Sequence, residues 1–228
     1  GGGSLRMWIT LVSAVAGATL AAFAYPLWEN LPQVAAISLP ALLGLGPALA
    51  LHAAVFAAAY AGLVALERRR TGKVESIGGS GNWLSGPWPY AWGALALAVL
   101  NFATLIVAGR PWGVTQAFAL WGSKAAEAAG VADPVFWAFW EEPTRVEMLL
   151  RPVATDATTI MNVAVMAGAL IAALLAGRFA ISWRIPAGAV LGSVFGGLLI
   201  GAGAIVATGC NISAFFSGIA SGSLHGWL

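Results

Sequence analysis

Five apolar runs of about 20 residues each constrain this chain more than any other feature of it. The hydrocarbon core of a bilayer is about 30 Å thick, and a helix rises about 1.5 Å per residue, so each run is long enough to cross it. The first extends from about Met7 to Tyr25 and stops before Pro26. The second extends from about Pro47 to Leu66 and ends at Glu67-Arg68-Arg69-Arg70. The third, about Pro87 to Ala108, carries Trp88, Tyr90 and Trp92 at its entry, where an aromatic belt belongs. The fourth covers about Ala157 to Ala176 and the fifth about Ala187 to Ala207. Only 9% of the 228 residues are charged, against about 25% in soluble domains, so no water-facing surface can be covered. The pattern predicts an all-α polytopic protein, a single membrane domain over residues 1–228 with the lipid bilayer as solvent. The formal charge of +2 lies mostly in loops and gives no reason to expect a nucleic-acid partner.

Two apolar pieces are too short to span. Val114 to Trp121 follows Gly109-Arg110-Pro111-Trp112-Gly113, and Ile212 to Ile219 follows Gly209-Cys210-Asn211. We read them as two re-entrant half-helices. Broken backbone at membrane depth is tolerated only where protein or a water-filled cavity surrounds it, and such interruptions point to a transport site. The alternative is a pair of interfacial helices with no ligand. Charge then orients the chain. Residues 67–86 contain Arg68, Arg69, Arg70 and Lys73 and are expected to form a cytoplasmic loop. Asp133 to Arg151, mostly acidic, falls outside, and the loop with Arg178 and Arg184 falls inside.

The chain ends carry similar segments, Gly3-Ser4-Leu5-Arg6-Met7-Trp8 and Gly222-Ser223-Leu224-His225-Gly226-Trp227. Five spans separate them. An odd number places the second copy on the opposite face, the relation of an inverted-repeat transporter. On this reading the sequence is one period, cut at both ends.

The polar residues at the two interruptions are the candidate substrate-binding set. Gly209 allows a turn, and Asn211 or Ser213 can cap a helix start. A helix N-terminus offers free N–H groups and partial positive charge, which suits an anion. Cys210 adds a polarisable thiol, better matched to a sulfur-rich anion than to a hard one. Its alternative fate is to pack as a small apolar residue. At the other interruption Gly113 precedes the short helix, Thr115 can donate a hydroxyl, and Arg110 can attract an anion to the mouth. Arg110 could equally be a snorkelling interfacial charge, and Thr115 could bond its own helix backbone. Asn101, Asn162 and His52 are read as interhelical hydrogen-bonding residues. Gly192, Gly196, Gly197, Gly201 and Gly203 are read as helix-packing positions. One cysteine and two distant histidines give no metal-ligand spacing. No catalytic acid-base pair or cofactor motif is visible, so no enzyme activity, metal or cofactor is expected.

Gly209-Cys210-Asn211-Ile212, with Ser217-Gly218-Ile219-Ala220-Ser221-Gly222-Ser223-Leu224-His225-Gly226-Trp227, resembles the signature of the YeeE/YedE sulfur-transport family, the thiosulfate-permease group. Gly109-Arg110-Pro111-Trp112-Gly113 with Ala117 to Gly122, Ala176-Gly177-Arg178-Phe179 and Trp183-Arg184-Ile185-Pro186 are similar to further blocks of it. So is the opening Gly1-Gly2-Gly3-Ser4-Leu5-Arg6-Met7-Trp8, which is why its glycines are read as native. The resemblance implies an inner-membrane fold with internal pseudo-symmetry and uptake of thiosulfate or a related sulfur compound. It implies that cysteines hand the anion along by weak thiol contacts, and Cys210 is the one matching position here. The function expected is that of a permease segment for a thiosulfate-like anion. The alternative is a membrane subunit that docks a cytoplasmic sulfur-carrier or redox protein through Arg68 to Lys73.

Overall fold

A computed structural model describes residues 4–32, 37–72, 88–110 and 112–227. Gly1–Gly3, residues 73–87 (with Lys73, the rest of the expected cytoplasmic loop and the expected start of the third span), Pro111, Leu228 and the side chain of Asn211 lie outside the described residues. In chain order the helices are α1 (Leu5–Phe23), α2 (Tyr25–Trp28), α3 (Leu39–Leu43), α4 (Leu45–Thr71), α5 (Tyr90–Ala108), α6 (Thr115–Ala128), α7 (Pro143–Leu150), α8 (Ala157–Leu175), α9 (Ala187–Val206) and α10 (Gly218–Ala220). Single 3₁₀ turns cover Pro134–Phe136, Ala138–Trp140, Val153–Thr155 and Leu224–Trp227, and a π-helical segment covers Asn211–Ser217. Among the described residues there is no β-strand, only the isolated bridges Ser4–Ser182 and Ser38–Ser223.

Five of these helices, α1, α4, α5, α8 and α9, are long and apolar enough to cross a membrane, as the apolar runs predict. The second is longer than expected. α4 continues through Arg68–Arg70 until Gly72, at φ +69°, ends it in a left-handed turn. Three guanidinium groups in the last turn oppose the negative end of the helix dipole, which favours that extension. The chain is therefore helical over the first part of the expected loop.

Most of the packing is made by small residues. α1 turns Ser13, Ala14, Gly17, Ala18, Ala21 and Ala22 inward, a stripe at three- and four-residue spacing. It lies against Ser193, Gly197, Gly201 and Ala204 of α9. A methyl at Gly17 would collide with the Leu198 carbonyl, and one at Gly201 with the Ala14 carbonyl, so backbones touch directly. Without a hydrophobic drive in lipid, such close dispersion contact is what joins helices. Gly197 and Gly201 serve this purpose, whereas Gly192, Gly196 and Gly203 have nothing within 4 Å of an added methyl and take no part.

A larger-residue core caps one end of this pair. Ala18, Ala22, Leu120, Phe139, Trp140, Leu149 and Ile205 form one buried cluster. Trp140 is fully buried, and its indole N–H donates to Ser123 Oγ at 3.2 Å. The Arg145 guanidinium lies 4.4 Å from the Phe139 ring centroid and pairs with Glu142. The segment Asp133 to Arg151, expected as an acidic loop, is thus folded into turns and α7 and supplies core side chains.

Candidate functional site

Both interruptions in the helices are set by backbone geometry. α5 ends at Gly109, whose φ of +65° lies in the left-handed region that favours glycine. α9 ends in a Schellman motif: Thr208 N–H donates to Ile205 O (3.1 Å) and Gly209 N–H to Ala204 O (2.9 Å). Thr208 holds φ +57°, the one non-glycine residue with positive φ among the described residues, and a β-branched residue there is strained. The helix is therefore broken before Cys210, and the chain restarts as the π-helical segment.

Cys210 caps that restart. Its N–H donates to Ser213 Oγ at 2.9 Å, its sulfur lies 3.6 Å from the same oxygen, and its carbonyl accepts from Ala214 N–H at 2.7 Å. Gly209 has to be glycine for this turn, because a methyl there would sit 2.8 Å from Ala214 Cβ and 3.0 Å from its nitrogen. The half-buried thiol also receives the backbone N–H of Ser213. Cys210 lies in the connection beyond α9, outside the five long helices. Burial pushes its pKa up, but the Ser213 amide and hydroxyl with the Ile212 and Val114 amides outweigh it and hold the thiol below its ordinary range.

The second interruption reaches the same place. A methyl on Gly113 would lie 3.8 Å from Ser213 Cβ, so Gly113 and the π-helical segment are neighbours. Trp112 N–H donates to Asn101 Oδ1 of α5 at 3.2 Å. Ser217 Oγ approaches Trp112 O at 3.5 Å. The carbonyl of Val114 accepts from Asn162 Nδ2 of α8 at 3.0 Å. Thr115, the first residue of α6, is buried.

Of the residues singled out in the sequence, Cys210, Gly209, Ser213 and Gly113 come together, with Thr115 two residues along the chain. Asn211 opens the π-helical segment. Arg110 is half-buried, and its guanidinium donates to Gln116 at 2.6 Å rather than to the thiol. Asn101 and Asn162, read as helix-to-helix contacts, instead hold the 112–114 loop. α6 runs to Ala128, seven residues past the expected end, yet its 14 residues span only about 21 Å. Among the described residues no group of three His, Cys, Asp or Glu could hold a metal.

The profile of the family described as sulphur transport matches residues 1–228. The chain belongs to the sulphur-transport family. Among curated relatives, a probable transporter YedE of Salmonella typhimurium is 31% identical over 150 residues, 64% of this chain and 35% of that protein. A probable transporter YedE of Escherichia coli K12 is 29% identical over 147 residues, again 64% and 35% of the two chains. The aligned part thus spans about a third of the length of these relatives. No solved structure gives a significant match. Membership of this family, together with five membrane-competent helices, makes the chain a multi-pass membrane protein of a transporter family.

A separate cavity of about 420 Å³ lies between α4 and the other face of the π-helical segment, lined by Leu45, Leu49, His52, Phe56, Phe215 and Phe216. His52 is nine-tenths buried, and its Nδ1 is 2.8 Å from Ala48 O. The walls are almost wholly apolar, so an anion gains little there.

Proposed function

We propose that this chain forms part of the anion path of an inner-membrane permease for thiosulfate or a related sulfur-containing anion, with the substrate handled at the Cys210 junction. The observation that carries the reading is the convergence of two broken-helix connections on one thiol. The Ser213 amide and hydroxyl meet the sulfur. That polarises the S–H bond and leaves its proton as a weak donor for a soft anion. The amides at the start of α6 and of the π-helical segment add partial positive charge at the same point. The segment around Gly113 and the one beginning at Asn211 act as the two re-entrant pieces of the path. Arg110, with Gln116, is placed to raise the anion concentration at its mouth.

Passage by this route forms and breaks hydrogen bonds only, so no covalent step or cofactor enters. The exposed Arg68–Arg70 turn of α4 is assigned to orientation and to anionic lipid head groups rather than to a carrier protein. The test is uptake of labelled thiosulfate by cells carrying the full-length protein. Cys210→Ala, at unchanged membrane abundance, should lower uptake on the order of tenfold, the worth of a hydrogen bond to a charged group. Wild-type uptake by that variant would remove the thiol from the path.

A further inference from the structure

Asn162 is 5% exposed, and its amide is only half satisfied: Nδ2 donates to Val114 O, while Oδ1 has no partner among the described residues. A buried polar group left half-satisfied costs stability, so the fold alone gives a poor reason for an asparagine there. What it does hold is one end of a three-residue loop. Asn101, from another helix, holds the other end through the Trp112 N–H. Between these two anchors lies Gly113, a neighbour of Ser213, whose hydroxyl accepts from the Cys210 N–H and lies 3.6 Å from its sulfur.

We infer that Asn101 and Asn162 are positioning residues, a pair of side-chain clamps that hold residues 112–114 against Ser213 and so keep the Ser213 hydroxyl on the Cys210 N–H and sulfur. The value of this arrangement for transport rests on the function proposed above, but its effect on the thiol does not. The clamp joins α5 and α8 to the π-helical segment through one loop, and a shift of either helix is passed through Ser213 to the thiol.

The test follows Cys210 alkylation by iodoacetamide in the purified full-length protein, read at the Cys210 peptide by mass spectrometry over a pH series spanning the ordinary thiol range. Asn162→Leu and Asn101→Leu keep the branched shape and heavy-atom count of the side chain and remove the hydrogen bonds. Each should slow alkylation at neutral pH by about tenfold and move the profile to higher pH, since a hydrogen bond to a thiolate contributes about that factor. Asn162→Gln, which keeps the donor, should recover part of the rate. The folded variants should melt only some degrees below the parent, the cost of one lost buried hydrogen bond. An unmoved profile in folded variants would overturn the assignment. So would loss of the folded state in both Leu variants, which would make the asparagines props of the whole fold. Uptake separates the two ideas. Normal transport by Cys210→Ala would sink the transport reading and leave the profile result standing. An unmoved profile with Cys210-dependent transport would sink the clamp alone.

Discussion

Gly209→Ala tests the turn that creates the junction. The new methyl would sit 2.8 Å from Ala214 Cβ, 2.9 Å from Ser213 Oγ and 3.0 Å from Ala214 N, where ordinary contact starts at 3.4 Å. The neighbours must therefore retreat by roughly half an ångström or more. Ser213 Oγ is the acceptor of the Cys210 N–H and Ala214 N–H is the donor to Cys210 O, so both bonds stretch together. Overpacking costs about 1–3 kcal/mol and the two bonds, weakened rather than broken, together about 1 kcal/mol, which gives a loss of about 2–4 kcal/mol. For a chain of this size that is a fall in melting temperature of roughly 5–15 °C. Tryptophan fluorescence of the detergent-purified protein during heating measures it, with Cys210 alkylation as the local probe. A melting temperature within a degree or so of the parent, with an unchanged alkylation rate, would refute the claim that Gly209 is held against Ser213 and Ala214.

Thr208→Gly should raise stability by about 1 kcal/mol, because glycine takes the left-handed conformation of the α9 terminus without strain; a lower melting temperature would contradict this. Gly201→Leu should separate α1 from α9 and lose most of the folded protein on size-exclusion chromatography, whereas Gly192→Ala, with open space around it, should elute as the parent does. The pH profile of Cys210 alkylation should have its midpoint below that of the same peptide in unfolded protein. The folded thiol binds its proton less tightly than the unfolded one, so the stability it contributes is complete above the ordinary thiol pKa and is lost as pH falls through the lowered value. A midpoint equal to or above the unfolded one would contradict the hydrogen-bonded environment of the thiol.

Much of this architecture is legible without coordinates because lipid imposes one rule on every span. About 20 apolar residues must form a helix, and Pro26, Gly109 and Pro186 mark where helices stop or start. The ends are less legible. Hydropathy stops α4 at Leu66, but the arginines that follow are good helix formers and extend it to Thr71. The π-helical winding of Asn211–Ser217 has no hydrophobic period to announce it, since a single π turn among apolar residues looks like any other short run. Trp140 could not be placed from sequence either. Charges on both sides of it suggest a loop, and only the Ser123 hydroxyl and the fold of α6 make it core. At the junction, Cys210, Ser213 and Gly113 are visible as motif residues. Asn101 and Asn162 are not, because a lone asparagine in a span is ordinarily a helix-to-helix contact. Their partners are backbone groups of a loop 11 and 48 residues away in the chain, which no local pattern encodes.

The account turns on whether a sulfur anion meets the Cys210 thiol. Protection measures this most directly: the rate of Cys210 alkylation in the full-length protein, with thiosulfate or sulfate added at equal ionic strength. Thiosulfate should slow the reaction in a saturable manner and sulfate should leave it nearly unchanged. Equal rates in both salts would contradict the account.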